Sequence, residues 1–174
     1  MAATEVSALD EVFGIVPQAV GVVNCTGMGA IKLVTPHEAE KMYPTRGQTI
    51  LVRGEAESVR FRTGDGYVCY VVRRLGQGTI LGGCKQDGNW DEKVDPELSE
   101  EIQRRCKPLA PELLVNGEFD IISEQVGLRP SRVGGPRVEI ERVPEDGGVR
   151  KFICHHYGHS GAGYTAIPQS PRTR

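Results

Sequence analysis

The sequence predicts an α+β fold, built mainly on an antiparallel sheet, with a smaller α/β portion. Three observations predict it. The 174 residues include 22 glycines and 11 prolines, too many breakers for long helices. Short segments rich in β-branched and aromatic residues, from Thr49 to Gly83, are joined by tight turns, as in strands that pair with their sequence neighbours. Finally, strand-like segments near both ends, Ala19–Asn24 and Val149–Cys154, each empty into a glycine-bearing turn. Open α/β sheets place ligands at such turns.

Taken in order, Ser7 to Phe13 predicts a short amphipathic helix with Ser7 as cap and Glu11 near its first turn, closed by Pro17. Ala19–Asn24 reads as a buried strand of the kind used in parallel sheets. It runs into Cys25-Thr26-Gly27-Met28-Gly29-Ala30, which alone would be an ordinary strand-to-loop turn. Lys32 to Pro44 reads as loop, with Thr35-Pro36 and Tyr43-Pro44 as breakers. Arg46-Gly47-Gln48 opens a strand over Thr49–Arg53, and Val59–Phe61 is a short strand. Thr63-Gly64-Asp65-Gly66 is a hairpin signal before the strand Tyr67–Arg73. After the turn Leu75–Gly78, Thr79–Gly83 returns.

Asp95-Pro96 marks a helix start, with Asp as N-cap and Pro at the first helical position. Leu98, Ile102 and Cys106 share one face, and Pro108 and Pro111 stop the helix. Phe119–Val126 and Arg137–Val143 read as strands, with Gly127-Leu128-Arg129-Pro130-Ser131-Arg132 and Gly134-Gly135-Pro136 between them. Glu145–Gly148 turns into the last strand, and the glycine-rich stretch His155–Thr165 follows.

Composition narrows the function class. Hydrophobic content of 39% with 25% charged residues suits an ordinary globular protein. A net charge of −2 argues against a general nucleic-acid or membrane-surface binder. Cys25, Cys69, Cys84, Cys106 and Cys154 are scattered without a CxxC pair, which predicts reduced thiols in an intracellular protein. No apolar run reaches membrane-spanning length, and the acidic N-terminus lacks a signal-peptide core. Cys154, His155, His156 and His159 include metal-ligating types, but no second ligand cluster accompanies them. The glycines between them suit backbone approach to a ligand better, so no metal is expected.

Three segments read together are more specific: VVNCTG (Val22 to Gly27), GLRPSR (Gly127 to Arg132) and HHYGHSGAGYT (His155 to Thr165). In this order and spacing the chain resembles the C-terminal part of the flavin-dependent D-amino-acid oxidases, from about Val6 to Thr165. Arg46-Gly47-Gln48, the Tyr67–Val72 strand, Gly82-Gly83 and Gly88-Asn89-Trp90 also match. The resemblance implies an FAD-binding α/β portion, here residues 1–47 and 120–174, and a substrate portion, residues 48–119. It implies oxidative deamination of D-amino acids to 2-oxo acids, ammonia and hydrogen peroxide, with FAD as cofactor and molecular oxygen as acceptor. No nucleic acid or membrane partner is implied, and a homodimer is admitted.

The resemblance also assigns residues. Arg129 would clamp the substrate carboxylate through two charge-assisted hydrogen bonds. Tyr70 would add a hydroxyl to that carboxylate, and the Gly161 carbonyl would receive the substrate amine. Thr26, Gly27, Ser160, Gly161, Ala162, Gly163, Tyr164 and Thr165 would contact the flavin, with Val6 near the adenine. No side chain is assigned as an acid–base catalyst. The resemblance would also put Tyr67 over the pocket mouth, but alternation sets Tyr67 and Tyr70 on opposite faces of an ideal strand, so Tyr70 is preferred unless the strand bulges or starts after Tyr67. Arg132 and Arg137 are expected in structural pairs or solvent. Lys85 stands near a side-chain pocket position and would suit an acidic substrate, but exposure is the default for lysine.

Two departures from the family pattern stand out. No strand–GxGxxG–helix fingerprint precedes VVNCTG, and the glycine loop runs into Ala166–Arg174, whose two prolines disfavour a helix. The final Arg-Thr-Arg is not the family's usual peroxisomal tripeptide, so the expected location is cytoplasmic or peroxisomal. These departures predict a truncated or mis-spliced product. The alternative function is therefore a catalytically incompetent fragment of such an oxidase.

Overall fold

Two larger sheets and one short two-stranded pair organise the described residues. The structure, a computed structural model, describes residues 5–143 and 150–163. Its elements run in chain order as follows. Helix α1 (Val12–Ile15), strand β1 (Gly21–Asn24), a 3-10 segment (Gly27–Lys32) and helix α2 (Pro36–Ala39) lead into β2 (Met42–Val52). Then come β3 (Arg60–Gly64), β4 (Tyr67–Arg74), β5 (Gly78–Gly82), β6 (Gln86–Asp87) and helix α3 (Pro96–Cys106). The remainder is β7 (Leu114–Val115), β8 (Glu118–Phe119), β9 (Ile121–Arg132), β10 (Arg137–Arg142), β11 (Phe152–Tyr157) and a 3-10 turn (Ser160–Ala162). The chain divides into two units, Met1–Pro44 with Arg129–Arg174, and Thr45–Leu128. Among the described residues no helix is long and apolar enough to cross a membrane.

In the first unit the sheet order is β1-β11-β10. β1 runs parallel to β11, with Gly21 opposite Phe152 and Asn24 opposite His155. β10 is antiparallel to β11, from Arg137 opposite Tyr157 to Arg142 opposite Phe152. Alternation sorts the two faces. Ile153, His155 and Tyr157 are buried on one, where Leu9 and Phe13 pack with Ile153, and Ala30 and Met42 with Tyr157. On the other face Val23, Val138 and Ile140 are exposed.

In the second unit the sheet order is β3-β4-β5-β2-β6, all antiparallel. Asp65-Gly66 closes the β3–β4 hairpin, with Gly66 at φ 74°. Helix α3 starts as its sequence predicts, with Asp95 Oδ1 accepting the Leu98 N–H at 3.1 Å. Its Ile102 and Cys106 join Ile50, Val52, Cys69, Val71 and Leu81 in one core. The Cys69 and Cys106 sulfurs lie 3.3 Å apart as free thiols. Burial, with the hydrogen bond to Cys69, pushes the Cys106 thiol well above its usual range. The α+β expectation with mainly antiparallel sheet therefore holds.

Close contacts fix two features of this unit. A Cβ added at Gly82 would lie 2.1 Å from Tyr70 Cζ, so only glycine leaves room for the tyrosine ring opposite it. Arg46, only 2% exposed, ties down the segment after β6. Its Nε donates to Asp91 O at 2.8 Å, Nη1 to Gln86 Oε1 at 2.9 Å, and Nη2 to Gln48 Oε1 at 2.9 Å and Lys93 O at 2.6 Å. Gln48 Nε2 donates in turn to Asp95 O and Ser99 Oγ, both at 2.8 Å, and so anchors the start of α3.

Several elements differ from their sequence expectation. Ser7–Phe13 is not a helix; only Val12–Ile15 is. The Ser7 N–H and Oγ–H both donate to the Glu11 carboxylate, at 3.0 and 3.1 Å, and this local turn competes with helix. The Lys32–Pro44 stretch is not all loop, because α2 forms after Thr35 and β2 already includes Tyr43-Pro44. Proline is tolerated near a strand's first residues, where no donor is needed. Val20, just before β1, and Val23 within it are exposed, and the polar Asn24 is the buried residue of the strand. Gly127–Arg132 lies inside β9 rather than between strands. Pro130 disfavours a helical Arg129 and so promotes extension. The last strand is Phe152–Tyr157, later than expected, because pairing with β10 carries it through His155 and His156. The expected turn at Glu145–Gly148 and the expected strand start at Val149 lie outside the described residues.

The Arg46 cluster generates a stability prediction. Arg46→Ala removes a guanidinium that is almost fully buried and that donates to four acceptors, and should cost about 3 kcal/mol or more. Arg53→Ala removes only an exposed pair with Asp120 and should cost less than about 1 kcal/mol. Urea unfolding midpoints compare the two, and equal losses would contradict the buried network.

Candidate functional site

The parallel pairing of β1 and β11 puts the C-terminal ends of both strands at one edge of the first unit's sheet. Cys25-Thr26-Gly27 leaves β1 there, and Gly158-His159-Ser160 leaves β11. An isolated antiparallel bridge between Ser131 and His159 adds the end of β9. Parts of all three sequence segments thus converge within the first unit. Together they line a concavity of about 260 Å³ that includes Cys25, Gly27, Pro130, His156, Gly158, His159, Ser160 and Gly163.

Asn24 sets the exit from β1. Its Oδ1 accepts the Thr26 N–H at 3.2 Å and the Thr26 hydroxyl at 2.7 Å, closing an Asx-type turn. With its oxygen engaged, its amide nitrogen faces His155 Nδ1 at 3.4 Å. His155 Nδ1 then accepts, and Nε2–H donates to Glu141 Oε2 at 3.0 Å. This bond, then Arg137, holds the Glu141 carboxyl below its usual range.

Gly27 has φ 60° and Gly158 φ 82°, both left-handed turns that favour glycine. A Cβ at Gly158 would also fall 2.8 Å from Arg132 Cβ. Ser160 holds φ 52° without being glycine, a sparsely populated conformation of the kind found at ligand sites. His159 and His156 have ring centroids 4.3 Å apart, tilted by 45°. Burial first, and His156 second, lower the His159 pKa from its usual value.

The charged residues behind the site are committed to each other. Glu38 accepts from Lys41 Nζ at 2.7 Å and from Arg132 Nη2 and Nε at 2.8 and 3.1 Å. Lys41, then Arg132, bring its pKa from 4.5 to about 2, against the opposing effect of burial. Arg132 also donates to Gly135 O at 2.9 Å. Arg137 pairs with Glu139 at 2.5 Å and Glu141 at 3.1 Å. Both arginines are therefore in structural pairs.

Arg129 lies half-buried on β9. A Cβ built on Gly161 would sit 3.6 Å from Arg129 Cδ and 3.8 Å from Nε, so the two residues lie against each other. Thr26 and Ala162 are exposed, while Gly27, Ser160 and Gly163 are half-buried. Tyr164 and Thr165 lie outside the described residues. Val6 is half-buried ahead of α1 and does not line the concavity.

In the second unit, Tyr70 lies on β4 with its ring against Gly82 and Gly83. Tyr67 lies on the opposite face, against that unit's core, with Arg105 stacked 4.3 Å over its ring. Lys85 is exposed and 3.5 Å from Asp87 Oδ2. Among the described residues no group of three or more His, Cys, Asp or Glu is placed to hold a metal ion.

Two features escaped the sequence reading. Asn24 carried a local signal, an Asn two residues before a Thr at a strand end. His159 carried none, because its burial depends on three segments meeting. Left-handed glycine turns and an imidazole held toward its neutral form fit a planar polar cofactor.

The comparisons with known proteins agree on a family. Residues 2–170 match the family model described as FAD dependent oxidoreductase. The chain is 40% identical over 168 residues to a D-amino-acid oxidase of Schizosaccharomyces pombe, covering 93% of this chain and 47% of that protein. It is 37% identical over 145 residues to a D-aspartate oxidase of Talaromyces thermophilus, covering 82% of this chain and 36% of that protein. It thus spans about half the length, or less, of the curated relatives it matches. A glycine oxidase structure from Bacillus cereus superposes with a TM-score of 0.63 at 22% identity, over 82% of this chain and 38% of that one. That likeness speaks for the fold.

The Glu38 cluster predicts an acid limb of stability. A carboxylate depressed in the folded state stabilises fully above its unfolded pKa, and the contribution fades as pH falls through the folded one. For Glu38 that window runs from 4.5 down to about 2. Glu38→Gln should flatten the stability-versus-pH curve there, and Tm measured across that range reads the result. An unchanged slope would contradict the pairing.

Proposed function

The chain belongs to the FAD-dependent oxidoreductase family, and from that premise we propose that it acts as a D-amino-acid oxidase. The proposed reaction converts a D-amino acid, water and dioxygen into a 2-oxo acid, ammonia and hydrogen peroxide. Bound FAD would supply the two-electron acceptor that breaking the Cα–H bond requires and that dioxygen regenerates.

The observation that carries this reading is Arg129 lying against Gly161. A zwitterionic amino acid has a carboxylate and an ammonium one carbon apart. A guanidinium beside a backbone carbonyl offers a matching pair: two parallel N–H donors for the carboxylate and an acceptor for the ammonium. Holding both ends fixes the Cα and its hydrogen, so the chain's contribution is orientation. Thr26, Gly27 and Ser160 to Thr165 are proposed to hold the flavin, partly through backbone N–H groups. Donors of that kind stabilise negative charge that develops near them. The Tyr70 hydroxyl is the second unit's proposed hydrogen-bond donor to substrate.

No side-chain acid or base is assigned. The imine product is hydrolysed by water, and the Cα–H bond breaks without a protein base in this scheme. Arg132 and Arg137 are excluded from substrate binding because their carboxylate partners already engage them. Lys85 is paired with Asp87 and is given no part in substrate choice. Support for D-amino acids in particular comes from the curated relatives, whose names specify D-amino-acid and D-aspartate oxidation.

The test uses purified chain with added FAD under anaerobic conditions. D-alanine should bleach the flavin absorption band and L-alanine should not. Arg129→Ala should keep the flavin and lose activity by on the order of a thousandfold in kcat/KM, the size expected for a charged two-point contact. Arg129→Lys keeps the charge but not the fork, and should raise KM. Bleaching at the wild-type rate in Arg129→Ala would remove Arg129 from the mechanism.

A further inference from the structure

His159 lines the concavity at the ends of β1 and β11, and the function above has no use for its side chain. His159 Nε2 is buried and has no hydrogen-bond partner among the described residues. Leaving such an atom unpaired is destabilising, because it loses water without gaining a replacement bond. Native structures retain unpaired buried polar atoms where a ligand, ion or water completes them.

The placement of the ring is over-determined. The bridge to Ser131 fixes the His159 backbone. Behind it, Gly158 turns at φ 82° against Arg132 Cβ, and after it Ser160 turns at φ 52°. The His156 ring, 4.3 Å away, stands on one side. The same cavity wall carries Gly27, Pro130 and Ser160. Burial and the neighbouring imidazole both disfavour a positive charge on His159. A neutral ring suits an uncharged polar edge better than it suits a phosphate, which calls for cations or rows of backbone N–H groups.

We infer that His159 is a flavin-binding residue, its Nε2 forming a hydrogen bond with a polar edge of the isoalloxazine ring. This rests on the flavoprotein reading and goes beyond it. It adds a side chain to a cradle otherwise assigned largely to backbone, and it places that contact on the ring rather than on the diphosphate.

The test titrates the full chain with FAD and with riboflavin, following fluorescence quenching and the flavin band. His159→Leu should weaken both ligands by about tenfold or more, the loss of one buried hydrogen bond. His159→Asn, which restores a polar group, should recover most of that loss. Equal effects on riboflavin and FAD locate the contact on the ring, while a loss seen only with FAD overturns that placement. In labelled wild-type protein, the His159 Nε2 nitrogen resonance should move on riboflavin addition, a readout independent of whether the variants fold. Flavin bound with that resonance unmoved overturns this inference alone. A wild-type chain that binds neither ligand overturns both this inference and the flavoprotein reading.

Discussion

The parallel pairing of β1 with β11 is the constraint on which the rest of the candidate site depends. Parallel strands share a direction, so both C-terminal ends leave at one edge. Two segments 131 residues apart in sequence, at Asn24 and His155, therefore empty side by side. The pairing is specified by more than apolar content. Asn24 and His155 are buried and bond to each other across the ladder, and each is completed by a second partner, Thr26 and Glu141. A slip of one residue would turn Ile153 and Tyr157 outward and bury the opposite set of side chains, so register is fixed by polar and apolar residues alike.

The site's electrostatics follow from which charges are committed elsewhere. Glu38, Lys41 and Arg132 form one closed cluster, and Arg137, Glu139 and Glu141 another. These clusters hold β9, β10 and α2 in place. The concavity itself is lined by left-handed glycine turns and two imidazoles tilted against each other, a surface with little net charge. Arg129 and Gly161, which lie against each other, are the chain neighbours of its lining residues Pro130 and Ser160.

Local signals in the sequence were reliable where no distant partner competed. Asp65-Gly66 gave its hairpin, and Asp95-Pro96 gave the start of α3, because each device acts within four residues. Elements set by distant pairing were less legible. β11 ends later than its own residues suggest because β10 pairs with it through Tyr157. Gly127–Arg132 reads as a breaker-rich loop, yet it is extended in β9. The apolar run at Val20–Val23 proved largely exposed, since burial in this sheet falls on one face only. For the site, Arg129 and Gly161 were reached through the family pattern, and the structure brings them together. Tyr70 lies in the other unit, and its role stays with the proposal. His159 stood out in the sequence only as one of several histidines beside glycines, because an unpaired atom is a property of three-dimensional packing, with no counterpart in spacing or composition.

The central claim is that the turns after β1 and β11 form one cofactor cradle. Hydrogen–deuterium exchange of the full chain with and without FAD tests it most directly. The account predicts that FAD slows exchange at two separate places at once, Thr26–Gly27 and Gly158–Gly163. Protection confined to Thr45–Leu128, or protection of one turn without the other, would contradict it.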